Sequence, residues 1–217
     1  MFTETAFRQI PVIDFANASN SDPVLRRALA AELKDACTNV GFFYIKNHGI
    51  PSDVISATVD AAQSFFSLPL AAKQEIDIHK SPNFKGYTAL LGENTDPANR
   101  GDLHEGFDIG WEPLETSTPS NGGVREDGAM AGVNVWPDVN HRFRQDVLTY
   151  YHAAVGLGLK LFPLFALALN LPEDWFNDKV RFPPWRENCP NNGDKASSEH
   201  ISVISRRMTV IHVPAEG

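Results

Sequence analysis

Seven histidines, two cysteines and a scatter of carboxylates are the residues through which this 217-residue chain could hold a metal or move a proton. His104 and Glu105 stand side by side and resemble a ligand pair. Neighbours in an extended strand point to opposite faces, so they cannot both reach one ion and the pair reads as structural. His48 lies between an aromatic run and Gly49-Ile50-Pro51, where an imidazole serves better as a hydrogen bonder locking a turn. Cys37 and Cys189 are too few and too far apart for a disulfide framework or a Cys-rich zinc site. Each reads as a small apolar filler. The histidines show no spacing that would store zinc or iron.

Composition narrows the classes. The chain carries a net charge of -8, with 42 % hydrophobic and 21 % charged residues. It has no cluster of Lys and Arg of the kind that tracks phosphates, which argues against a nucleic-acid partner. No run of about 18 apolar residues is evident, so no membrane span is expected. Met1-Phe2-Thr3-Glu4 does not open like a secretory signal, and with two cysteines a reducing, cytoplasmic setting is expected. The length suits one domain, or one domain and part of another.

The elements that must position any site are legible over much of the chain. Ile10 to Phe15 is a β-type run, with Pro11 at an edge or first position. Asp22 caps a helix with Pro23 at its first position, and Leu25, Leu29, Leu33, Ala36 and Val40 follow at helical spacing to a stop at Gly41. Residues 42–47 form an aromatic strand, and His48 to Pro51 a turn. Ser52 can cap a second helix with Ile55, Val59, Ala62 and Phe66 on one face, and Phe42, Phe43, Phe65 and Phe66 are core. Asp53 and Asp60 belong to a solvated face. Pro69 closes this helix, and one or two helical turns follow from Leu70 to Ile76. Gly86-Tyr87 and Glu105 to Ile109 are short extended pieces, and residues 121–132 a loop. A long helix begins near Asp138, with Phe143, Val147, Tyr151, Val155, Leu159 and Phe162 on one side and a kink at Pro163. A short turn starts at Leu171-Pro172.

Three pieces in this order carry a family resemblance: IPVIDF at 10–15, GFFYIKNHGIP at 41–51 and FFSLPLAAKQEI at 65–76. They resemble the amino-terminal region of the non-haem dioxygenases related to isopenicillin N synthase. Gly86-Tyr87, Glu105 to Ile109 and the helix ending at Leu169-Asn170-Leu171-Pro172 fit the same pattern, so the resemblance covers roughly residues 8–180. It implies an α+β chain forming part of a double-stranded β-helix, or jelly roll, mostly its amino-terminal helices and first strands. It further implies Fe(II) and 2-oxoglutarate as cofactors, and a small molecule as the substrate that is oxidised. In such enzymes His-x-Asp on one strand and a later His hold the iron, and Arg-x-Ser grips the oxoacid. On the family's geometry Phe84, Tyr87 and Phe107 are candidates for a substrate pocket, with simple packing as the competing role.

The family's ligand pattern is missing. The residues two positions after His48, His79, His104, His141, His152, His200 and His212 are Ile50, Ser81, Gly106, Phe143, Ala154, Ser202 and Pro214. None is a carboxylate. Two registers compete for the tail. In one, His200 is a vestigial ligand and Ser202 replaces the carboxylate. In the other, favoured here, Asn177-Asp178-Lys179 with Pro183 matches the family's linker and the family sequence ends near Pro184. Arg207-Met208-Thr209 imitates Arg-x-Ser, a pattern short enough to arise by chance. Residues 1–176 carry 13 basic and 22 acidic side chains, whereas 177–217 carry 6 and 5.

That change predicts a non-haem dioxygenase amino-terminal domain over residues 1–180 and a divergent tail over 181–217 in place of the catalytic domain. Such a tail would come from a reading frame that runs past an exon end, or from a decayed gene copy. The resulting expectation is a dioxygenase relative inactive as written. The alternative is a non-catalytic truncated module acting through protein association. Its exposed sheet edges would favour self-association, and its missing barrel strands would make the product marginally stable or prone to aggregate.

Overall fold

The computed structural model describes residues 9–94, 101, 103–114, 134–138 and 141–180. Expectations for residues 121–132 and for the tail, including His200, Ser202 and Arg207, lie outside them. The described chain divides into two compact units, one holding residues 9–49 and 154–180 and the other residues 50–153.

The first unit is built on a strand–helix–strand run. Strand β1 (Val12–Asp14) and strand β2 (Tyr44–Lys46) pair in parallel, with Val12 beside Tyr44, Ile13 beside Ile45 and Asp14 beside Lys46. Helix α1 (Pro23–Asn39) connects them, as a parallel pair requires. Its start is the expected one: the Asp22 carboxylate accepts the Val24 N–H at 2.8 Å, and Pro23 needs no partner for a missing donor. Its end is also as read. Gly41 has φ +93°, a conformation that costs a glycine little, and its N–H donates to the Ala36 carbonyl at 3.0 Å. Leu29, Leu33 and Ala36 bury one stripe of α1 against Ile13 and Phe15, with Leu164 closing the cluster. Two members of the predicted stripes fall outside the core: Leu25 and Phe42 are exposed. Cys37 is also exposed, so it is not the buried filler expected from its residue type.

The second unit contains helix α2 (Ser52–Phe66), helix α3 (Leu70–Gln74), strand β3 (Gly86–Thr88) and strand β4 (Gly106–Asp108). β3 and β4 are antiparallel, with Tyr87 opposite Phe107. The residue before α2 is Pro51, and no side chain caps the first turn; Ser52 is the first helical residue rather than the cap. The buried stripe of α2 is Thr58, Ala61, Ala62 and Phe65. This lies one residue earlier than the apolar face predicted, because the Thr58 hydroxyl donates to the Asp146 carbonyl at 2.9 Å and turns its own face inward. Phe65 is the centre of the unit, with ring centroids 5.1 Å from Phe66, 5.1 Å from Phe107 and 5.2 Å from Phe143.

Helix α4 (His141–Ala168) supplies residues to both units and runs on through Pro163, whose ring nitrogen cannot donate to the Leu159 carbonyl. Between Arg142 and Ala168 it is long and apolar enough to cross a membrane by length and composition alone. The expectation that no such stretch exists is therefore corrected. Core helices of soluble proteins meet the same test. Beyond it the turn at Leu171-Pro172 forms as predicted, with the Trp175 N–H donating to the Pro172 carbonyl at 3.0 Å.

Candidate functional site

The chemistry-bearing side chains of the second unit gather around two carboxylates. Glu105 precedes β4, and one of its oxygens, Oε2, accepts from the Lys73 ammonium at 2.7 Å and from the Tyr87 hydroxyl at 2.6 Å. Lys73, on α3, is only 6 % exposed. Its Nζ also donates to the carbonyl of Phe66 at 2.9 Å, the last residue of α2, so the cation sits at the negative end of that helix. Burial raises the carboxyl pKa of Glu105, but hydrogen bonds from Lys73 and Tyr87 and the Lys73 charge outweigh it and hold the group below its ordinary value. Burial, then the Glu105 carboxylate, pushes the Tyr87 phenol well above its ordinary range. The three groups form a charged joint in which each is satisfied by the others.

The second carboxylate is Glu112. Oε2 accepts from the Asn134 amide at 2.9 Å and the Trp136 indole at 3.0 Å, and Oε1 accepts from Arg144 Nε at 2.7 Å. The Asn134 side chain pairs with Gly110 in both directions, accepting its N–H at 2.7 Å and donating to its carbonyl at 2.9 Å. The His152 ring meets the Glu112 carbonyl at 2.7 Å; a carbonyl only accepts, so Nε2 carries the proton there. Arg144 also donates to the Pro113 carbonyl at 2.9 Å. This knot ties residues 110–114 and 134–136 to the first turns of α4.

The three residues named for a substrate pocket part company. Tyr87 and Phe107 are partners in the β3–β4 register and pack on Phe65, with Phe107 also 5.9 Å from Trp136. Phe84 is 56 % exposed and has φ +55°, a left-handed backbone that a bulky residue adopts only under constraint. The constraint is visible beside it: Asn83 and Lys85 are buried, and a Cβ on Gly86 would lie 2.4 Å from the Ile76 carbonyl oxygen. His104 and Glu105 diverge as expected, although both lie just before β4 and not within a strand. Glu105 turns to Lys73, while His104 lies 3.5 Å from Glu93. His79 bonds Asp77, and His48 is half-buried at the predicted turn. Sequence reasoning picked out Lys73 and Glu105 only as family markers. The available signal was a lone Lys after an apolar helical turn and a lone Glu before an aromatic strand.

The fold thus defines an α+β chain whose described part is helices and short strands, with one carboxylate fixed by a buried lysine and a second by a partly buried arginine. Comparison with known proteins supplies the rest. Residues 10–139 match the family model described as the non-haem dioxygenase in morphine synthesis N-terminal domain, and the chain belongs to that family. It is 31 % identical over 182 residues to a 2-oxoglutarate-Fe(II) type oxidoreductase, ppzC, of Metarhizium rileyi, covering 81 % of this chain and 48 % of that one. A Caulobacter crescentus protein of the 2OG-Fe(II) oxygenase family superposes with a TM-score of 0.61 at 27 % identity, covering 77 % of this chain and 51 % of that one. A full-length Neurospora crassa protein solved with alpha-KG, which is 2-oxoglutarate, superposes with a TM-score of 0.60 at 23 % identity, over 77 % and 49 %. That likeness is one of fold. The chain spans about half the length of the curated relatives it matches.

Fe(II) and 2-oxoglutarate are the family's cofactors. Among the described residues of this chain, no group of three or more His, Cys, Asp or Glu is arranged to hold a metal ion. Glu105 and Glu112 point at cations and amide donors, so the described donor set does not fit the iron.

Proposed function

We propose that residues 9–180 form the non-ligating part of a double-stranded β-helix oxygenase of small molecules, and that the 217-residue chain alone does not assemble an iron site. The observation that carries this reading is the fate of the two half-buried carboxylates. Glu105 is neutralised by a Lys73 ammonium 2.7 Å away, and Glu112 by Arg144 Nε at the same distance. Binding a metal through either carboxylate would leave its cation uncompensated, and for the buried Lys73 that costs several kcal/mol. The sequence adds that no histidine has a carboxylate two residues on. Of the three pocket candidates, Phe84 is the one whose ring is open to contact a substrate, because Tyr87 and Phe107 are spent in packing.

The test is an anaerobic titration of the folded chain with Fe(II) and 2-oxoglutarate, read by the visible charge-transfer band of a chelated iron. No saturable band is expected. A band that saturates at one equivalent would overturn the proposal and place working ligands elsewhere in the chain. A second reading, a module that acts by protein association, is favoured by one observation: large apolar side chains lie uncovered on one face of the β1–β2 pair.

A further inference from the structure

Parallel strands occur in sheets covered on both faces, and a sheet of only two strands is marginal by itself. Among the described residues of the first unit, β1 and β2 are covered on one face only. Ile13 and Ile45 point to the core, whereas Val12 and Tyr44, partners in the register, are 56 % and 48 % exposed. Phe42, two residues before Tyr44, is 49 % exposed. Because side chains alternate along a strand, Asp14 shares the outward face with Val12, and Lys46 shares it with Tyr44. They too are register partners, 3.4 Å apart. The outward face therefore has an apolar level, Val12 beside Tyr44, and a charged level, Asp14 beside Lys46.

We propose that this face is an interface between two copies of the chain, packed sheet on sheet. The inference rests on the association reading above. The outward face is self-complementary. Turn a second copy about a two-fold axis parallel to the strands, at the usual spacing of about 10 Å between facing sheets. β1 of each copy then lies over β2 of the other at the same level. Val12 meets the partner's Tyr44, and Asp14 meets the partner's Lys46, which makes a square of alternating charges above a closed apolar level. A two-fold axis across the strands would instead set Val12 over Asp14 and Tyr44 over Lys46, burying each charge against an apolar side chain. The register therefore favours one arrangement, and an interface between identical copies needs that property. The charged level also gives the association a salt dependence and a defined orientation.

Sedimentation velocity on the whole chain over a wide concentration range tests the proposal. A reversible monomer–dimer equilibrium without larger species is expected. Lys46→Glu sets two carboxylates against each other across the interface, and Tyr44→Lys breaks the apolar level. Each should weaken the dimer by about tenfold or more, with the helical circular dichroism unchanged. Val24→Lys, on the exposed start of α1, should leave the equilibrium alone. A monomer at every concentration overturns the proposal and removes copy-to-copy association altogether. A dimer indifferent to Lys46→Glu and Tyr44→Lys overturns this face while leaving the association reading in place. Equal loss with Val24→Lys would mean unspecific apolar clustering, and also overturns it.

Discussion

Removing one partner from the Lys73–Glu105 pair should have unequal consequences, and the inequality follows from burial. The Lys73 side chain is 8 % exposed, whereas that of Glu105 is 31 % exposed. Glu105→Gln neutralises the acceptor of two charge-assisted bonds and strands an ammonium that water cannot reach. Stranding a buried charge costs roughly 3–5 kcal/mol, and the partial exposure of Glu105 lowers the expectation here to about 2–4 kcal/mol. Lys73→Met keeps the volume of the stem and leaves behind a carboxylate that can be hydrated and still accepts from Tyr87. Its main loss is the bond to the Phe66 carbonyl, worth about 1–2 kcal/mol. In a chain of this size each kcal/mol moves the thermal midpoint by about 2–4 °C. Glu105→Gln should therefore lower it by roughly 4–16 °C and Lys73→Met by roughly half as much. The double variant should cost less than the sum, with a coupling of about 1–2 kcal/mol. Urea and thermal unfolding followed by circular dichroism measure all three. If Lys73→Met proves as costly as Glu105→Gln, the cation is not the desolvated member and the reasoning fails.

Other outcomes follow from single contacts. Gly86→Ala would force a side chain into positive φ with its Cβ 2.4 Å from a backbone oxygen; a loss on the order of 3 kcal/mol should appear in urea unfolding. Phe84→Gly should do the reverse and stabilise the chain by about 0.5–1 kcal/mol in the same assay, since an exposed ring is lost and a strained backbone is relieved. Glu112→Ala should cost about 2–4 kcal/mol, because it leaves the Arg144, Asn134 and Trp136 donors without their acceptor, and the tryptophan emission should shift. The Glu105 pKa is lower in the folded chain than its ordinary 4.5, so its stabilisation is complete above that value and is lost as pH falls through the folded one. Stability measured against pH should therefore decline below about pH 4.5, and Glu105→Gln should flatten the early part of that decline.

Local chemistry was the legible part of this sequence. Asp22-Pro23 and Gly41 bound α1 because a cap, a missing donor and a left-handed stop act within a few residues. The reading weakened wherever a distant partner decided the matter. Thr58 took an inward position on α2 because its hydroxyl reaches the carbonyl of Asp146, 88 residues away, and the apolar spacing alone pointed one residue later. Ser52 looked like a cap, but Pro51 already sets the extended entry and the serine falls inside the helix. Lys73 and Glu105 were visible as types at family positions. They stand 32 positions apart, and nothing between them announced that they meet. Phe84, Tyr87 and Phe107 were grouped on the family's geometry, and only the register and the backbone angle separated the two packed rings from the exposed one.

The knot around Glu112 has a consequence for how this chain can change over generations. Gly110 to Leu114 and Asn134 to Trp136 are joined by side chains at both ends of a 19-residue stretch, 115–133, so the ends are pinned whatever lies between them. A change at Glu112 strips a partner from Asn134, Trp136 and Arg144 at once, so these four positions should vary together rather than one at a time.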